Sequence, residues 1–243
     1  MTARLLALVG LLTVAIAATA SAAPARIAAN ECRGLPVCVP IAGPWVVVPP
    51  RAPGGRPGTE YMIRCPRGYV IAGTDALVTA RTVDVSIRGE PGSPVAPGVT
   101  VGAEALFTAV YTGAPRAKTA FRPFLGCVPA TGGGGRSQTV FKRRSLYAVH
   151  PIRPLVRRVF VLPFQGTRWQ TVVARCPSGS RLLGGTHAVG LRTPDEPSPD
   201  VLAAVQSTQQ ISGGRVVARA RITSSTAPRA ELQVHALCSR GGR

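Results

Sequence analysis

The sequence predicts an all-β protein: two tandem disulfide-closed β modules, sandwich- or barrel-like and related by internal duplication. Three observations carry that prediction. A Cys-Pro-x-Gly motif occurs twice, each time followed by a late closing cysteine. Short runs of alternating polarity recur along the chain. The 23 prolines and 27 glycines cluster between those runs and leave little room for long helices.

The chain begins Met1-Thr2-Ala3-Arg4, followed by an uncharged apolar run from Leu5 to Ala18 and by Ala20-Ser21-Ala22. A positive start, a short apolar run and small residues at an A-x-A site read as a secretory signal peptide over residues 1–22. The run is too short for a membrane span. No cysteine follows the cut and no later stretch approaches a span, so the mature chain is expected to be secreted, extracellular or loosely envelope-associated. Export places Cys32, Cys38, Cys65, Cys127, Cys176 and Cys238 where disulfides persist. None forms a CxxC pair, which favours structural bridges over a metal site or a redox motif.

Residues 23–45 read as an N-terminal arm, with Cys32-Arg33-Gly34-Leu35-Pro36-Val37-Cys38 as a small disulfide loop. The first β module spans 46–130 and the second 159–240. Arg64-Cys65-Pro66-Arg67-Gly68 matches Arg175-Cys176-Pro177-Ser178-Gly179. An apolar stretch then leads to Gly73-Thr74 in one and to Gly185-Thr186 in the other, with one residue inserted in the second. On that alignment His187 falls on Asp75. Ala114-Pro115-Arg116-Ala117 matches Ala227-Pro228-Arg229-Ala230, Val46-Val47-Val48-Pro49 resembles Val159-Phe160-Val161-Leu162-Pro163, and Gly58-Thr59 resembles Gly166-Thr167. Residues 131–158 form a Gly-rich and basic linker opened by Gly132–Gly135.

Among the pairings open to six cysteines, the simplest is Cys65–Cys127, Cys176–Cys238 and Cys32–Cys38. Each long bridge would then tie the first strand of a module to its last. It would stabilise by about 4 kcal/mol in the chain-entropy picture. Modules of about 80 residues need such help, because a single core of that size is marginal. Strands are predicted at Val83–Arg88, Val216–Thr223 and Leu232–Ala236, where apolar and polar residues alternate. Whether the modules share one sheet or exchange strands stays open.

The Cys-Pro-x-Gly…Gly-Gly-Thr start with a closing cysteine resembles a module of secreted actinobacterial proteins. The two lysines against twenty-seven arginines fit a GC-rich genome of that kind. The resemblance implies an exported β domain and brings no catalytic residues with it.

Charge is the main functional clue. The formal charge is +19, or +18 once Arg4 leaves with the leader. Between Glu104 and Asp195 there is no acidic residue, while Lys118, Lys142 and twelve arginines fall there. Basic charge of this kind draws in polyanions. The expected working surface is a strip made by Arg136, Lys142, Arg143, Arg144, Arg153, Arg157, Arg158 and Arg168. Its expected partner is an anionic cell-envelope polymer or lipid surface. The competing reading is a solvated basic surface that only keeps the protein soluble. Nucleic acid is disfavoured by export and by an aromatic content of 5%. Trp45 and Trp169 are expected at the core or at module edges.

Catalytic constellations are absent from the sequence pattern: there is no GxSxG, HExxH, P-loop or GxGxxG after a strand. His150, His187 and His235 lie on different segments without metal-ligand spacing, so neither a metal nor a cofactor is expected. An extracellular hydrolase acting on wall or other polymers would require a deep pocket with a histidine beside a carboxylate. A protease-inhibitor role would present Arg33 and Leu35 on the Cys32–Cys38 loop.

Overall fold

The structure, a computed structural model, describes residues 30–35, 37–50, 58–88, 102–112, 117–130, 155–224 and 227–239. The leader, the glycine joint and the basic residues 136, 142–144 and 153 lie outside the described residues. The first half holds β1 (Val39–Ala42), β2 (Trp45–Val48), β3 (Thr59–Arg64), β4 (Tyr69–Val78), β5 (Val83–Arg88), β6 (Glu104–Tyr111) and β7 (Thr119–Pro129). The second holds β8 (Leu155–Phe164), β9 (Gln170–Arg175), β10 (Leu182–Leu191), α1 (Pro199–Ala204), β11 (Val205–Ser212), β12 (Arg215–Ile222) and β13 (Ala230–Ser239). The chain is all-β apart from that one short helix, among the described residues.

The two halves have the same pairing order. β7 lies between β4 and the interrupted strand β1/β2, as β13 lies between β10 and β8. β6 lies between β3 and β5, as β12 lies between β9 and β11. All pairs are antiparallel. In each half the two layers enclose one core. Tyr61, Phe107, Phe121 and Leu125 fill the first, and Val216, Ile222, Leu232 and Val234 the second.

All three disulfides form in the expected connectivity, and both long bridges span 62 residues. Their placement differs from expectation in one respect. Cys65 follows β3 and Cys127 lies in β7, so the bridge staples one layer to the other and does not start on the first strand.

Strand register corrects the alignment of the two halves. Ile71 faces Cys127 and Gly73 faces Gly126 across a bulge; Leu182 faces Cys238 and Gly184 faces Leu237 across the same bulge. Gly73 therefore corresponds to Gly184, and no residue is inserted there. The Gly-Thr repeat had matched positions one place apart. Asp75 corresponds to Thr186, so His187 stands opposite no acid in the other half. Val46 and Leu162 likewise correspond, since they face Phe121 and Leu232. The equal cysteine spacing arises because length differences cancel. The second half carries α1 before β11, then turns from β11 to β12 on Gly213-Gly214, both at positive φ. The first half places its long connection between β5 and β6 instead.

Two boundaries move. β8 begins at Leu155, so Arg157 and Arg158 belong to a strand and not to the linker. β1 lies within the expected arm and pairs with the end of β7. The halves also share a sheet, because β2 pairs with β7 on one side and with β10 on the other through Val46↔Gly190 and Trp45↔Leu191. Both faces of β2 are covered: Val46 and Val48 point into the first core, Trp45 and Val47 into the second. A strand buried on both faces reads as an unbroken apolar run, which explains Trp45–Val48.

Candidate functional site

Beside the shared strand, β3 of the first half lies against β8, β10 and β13 of the second. The side chains between them are polar. Arg157 donates to Glu60 Oε2 at 2.5 Å and to His235 Nδ1 at 2.8 Å. Thr186 donates to the same carboxylate at 2.9 Å. The remaining ring nitrogen of His235 meets Gln233 Oε1 at 2.6 Å. Gln233 in turn clasps the backbone of Met62: its Oε1 accepts from the N–H at 2.6 Å and its Nε2 donates to the carbonyl at 3.0 Å. β3 is the edge of its own sheet, so this amide supplies what a neighbouring strand would have.

The electrostatics follow from that packing. Burial disfavours the Glu60 anion, but the Arg157 guanidinium and the Thr186 hydroxyl outweigh it and hold the carboxyl below its ordinary range. His235 is fully buried, and burial together with Arg157 lowers its pKa to about 4. It is therefore neutral at physiological pH. With Nδ1 accepting from Arg157, the proton sits on Nε2 and is donated to Gln233. This is a histidine beside a carboxylate, with Nδ1 and Glu60 Oε2 3.8 Å apart. The imidazole is sealed from solvent with both ring nitrogens engaged, and it helps hold the halves together.

Other contacts reinforce the junction. Lys118 donates to the carbonyls of Ala203 and Val205, and Arg122 to that of Pro194 at 2.8 Å. Arg122 also stacks on Trp45 and Phe124. A cleft of about 440 Å³ opens next to the polar cluster, lined among others by Thr59, Tyr111, Thr186, His187, Thr208 and Gln209. His187 Nδ1 lies 2.9 Å from Gln209 Oε1. No carboxylate lines the cleft among the described residues, and no group of three metal-ligating side chains occurs there.

The second candidate surface is the outer face of the β9–β12–β11 sheet. On β12, Val216, Ala218, Ala220 and Ile222 are fully buried, so the alternate residues Arg215, Val217, Arg219 and Arg221 face outward. Register places Arg175, Val173 and Thr171 of β9 beside Arg215, Val217 and Arg219. On the other side stand Ser212, Gln210, Thr208 and Gln206 of β11. The face thus carries four arginines and no acid. Arg175, Arg215 and Arg219 are exposed and make no ion pair or hydrogen bond with described residues. Arg221 is held in place: it donates to Gln206 at 2.8 Å and lies 4.6 Å over the Trp169 ring. Trp169 is 41% exposed and belongs to no core, whereas Trp45 is buried between the halves.

The expected basic strip is only partly brought together. Arg136, Lys142, Arg143, Arg144 and Arg153 lie outside the described residues, as does His150. Arg158 and Arg168 are exposed. Arg157 is turned inward and paired with Glu60, so it is not available to a ligand. Sequence reasoning missed Arg175, Arg215, Arg219 and Arg221. The signal was present in the alternation of Arg215–Arg221, which puts every arginine of that strand on one face.

The Cys32–Cys38 loop does not stand free. Glu31 is buried with its carbonyl over Gly73 and Gly126, where any side chain would collide with it. Asn30 donates to Asp75 at 2.6 Å. Arg33 is exposed, but Leu35 is half-buried. The bridge pins the arm across β4 and β7, unlike the presented loop an inhibitor needs.

Comparison with protein families, with curated proteins and with solved structures finds no match. Among the described residues no helix is long and apolar enough to cross a membrane.

Proposed function

We propose that the protein is an exported, non-catalytic binder of anionic polymers such as those of a cell envelope, and that the β9–β12–β11 face is its working surface. One observation carries this reading: Arg175, Arg215, Arg219 and Arg221 stand together on one outward face that holds no acid. Exposed arginines without an acid beside them attract polyanions and give them charge-assisted donors. Arg158 and Arg168 add to the same field. The signal-like N-terminus and the three disulfides support export. The sealed state of His235 supports a non-catalytic role.

Retention on a phosphate- or sulfate-bearing matrix, eluted by a salt gradient, tests the proposal. Wild type is expected to elute late. Arg219→Ala with Arg221→Ala is expected to elute at clearly lower salt, since exposed charge contacts are screened. Elution of the variant with wild type would overturn the reading, as would a lack of retention at low salt.

A further inference from the structure

We infer that Arg175 and Arg215 form a clamp for a phosphate group with three free oxygens, as a phosphomonoester presents it. The inference names the ligand chemistry of the face proposed above, and rests on that reading only for what lies beyond the clamp.

The two halves supply the comparison that carries it. Arg64, immediately before Cys65, faces Glu104 across the β3–β6 pair, and the two form an ion pair. Arg175, immediately before Cys176, holds the corresponding place in β9 and faces Arg215. One scaffold position therefore carries a closed ion pair in the first half and two opposed cations in the second. Like charges directly opposite one another destabilise a sheet. No acid on this face offsets them, and neither guanidinium has a protein partner among the described residues. An anion between them converts the repulsion into two charge-assisted contacts.

Geometry and charge select the anion. A carboxylate offers one planar O–C–O edge, which a single guanidinium fork satisfies. Two forks on neighbouring strands call for two separate edges. A phosphomonoester provides them and carries a charge of about −2 near neutral pH, matching the pair. Beyond the clamp the face continues in register. Val173 and Val217 form an uncharged step, then come Thr171 with Arg219, then Arg221 on Trp169. At about 3.4 Å per residue, Arg219 and Arg221 stand roughly 14 and 20 Å from Arg215. That row suits a linear ligand with apolar spacing between a terminal phosphate and later charges.

The test is an NMR titration of the full chain, following the Nε–Hε resonances of Arg175 and Arg215. The probes are inorganic phosphate, glycerol 3-phosphate and, as the carboxylate counterpart, glycerate. Both phosphates are expected to shift these two resonances saturably, and glycerate is not. Arg215→Glu, which installs the pairing seen in the first half, is expected to weaken phosphate binding about tenfold or more, and Arg215→Gln by a similar factor. Circular dichroism checks that both variants fold. Equal shifts with glycerate, undiminished binding by Arg215→Glu, or a weak response spread over all exposed arginines would overturn the clamp. Vesicles of phosphatidic acid separate a lipid source of the group from a soluble one, and binding to either upholds the clamp. Matrix retention without the specific phosphate shifts refutes the clamp and leaves the polymer reading standing. The shifts without matrix retention do the reverse.

Discussion

The outer faces of the two small sheets share a strand order and differ in how charges are placed on them. On the first, Glu104 pairs with Arg64 and Glu60 with Arg157, and Met62 and Glu60 are pressed against the second half. On the second, Thr171 stands at the place of Glu60 and Arg215 at that of Glu104, and the face is open. The first face pairs Arg64 and Glu60 within the protein and serves as a joint at β3. The other leaves Arg175, Arg215 and Arg219 exposed, without a partner among the described residues. Identical strand order thus fixes where side chains stand, while the residues at those places decide whether a surface packs against a neighbour or stays open.

The largest expected effect tests how alike the halves are below their surfaces. Replacing Cys65 and Cys127 together by serine, or Cys176 and Cys238, is expected to cost about 4 kcal/mol in either half. Because β2 belongs to both cores, each variant should still unfold in one transition by urea denaturation. Two separate transitions would show that the shared strand does not couple the halves.

Next comes the joint. Arg157→Leu leaves the half-buried Glu60 carboxylate without its charged partner and is expected to cost about 2 kcal/mol in the same assay. Acid probes the same cluster. His235 has a folded pKa of about 4 against an ordinary 6.5, so between those values only the unfolded chain takes up the proton and stability falls as pH falls. Glu60 is held below 4.5; its contribution is present above that value and is lost as acid protonates it. Glu231 acts in the opposite sense. Burial pushes it up to about 7 against the pull of Arg192, so acidification from that value towards 4.5 restores stability. Urea midpoints followed across this range should therefore drop most steeply at the acid end. Glu231→Gln should remove the opposing gain near neutrality.

The smallest effect addresses the faces themselves. Arg215→Glu should raise stability by about 0.5 kcal/mol in the absence of ligand, and Glu104→Arg should lower it by a similar amount. Thermal melts in a phosphate-free buffer measure both. If Arg215→Glu destabilises, the opposed arginines are not a strained pair.

Much of the fold was legible because cysteines, glycines and alternation act locally. The register was not. Thr74 and Thr186 each follow a glycine, yet the same bulge at the same distance from the cysteine in both halves sets Thr186 at the place of Asp75. The binding face was half legible. Alternation aligns Arg215, Arg219 and Arg221, but only pairing shows that Arg175 stands beside Arg215. Counting charges along the chain pointed to residues 136–168, where Arg136, Lys142, Arg143, Arg144 and Arg153 lie outside the described residues. Arg157 and Arg158 are neighbours in sequence, and strand geometry sends one into an ion pair and the other to solvent.

The pinned arm has a consequence for assembly. Asp75 is bound by Asn30 of the arm, whereas its counterpart Thr186 is bound by Glu60 of the preceding half. The arm thus covers Asp75, as β3 covers the matching position in the second half. A scaffold whose units dock tail onto head can in principle extend without limit, and a terminal unit with a covered seat stops that growth. Glu31, lodged over two glycines and locked beside the Cys32–Cys38 bridge, keeps that edge of the first half covered by its own chain.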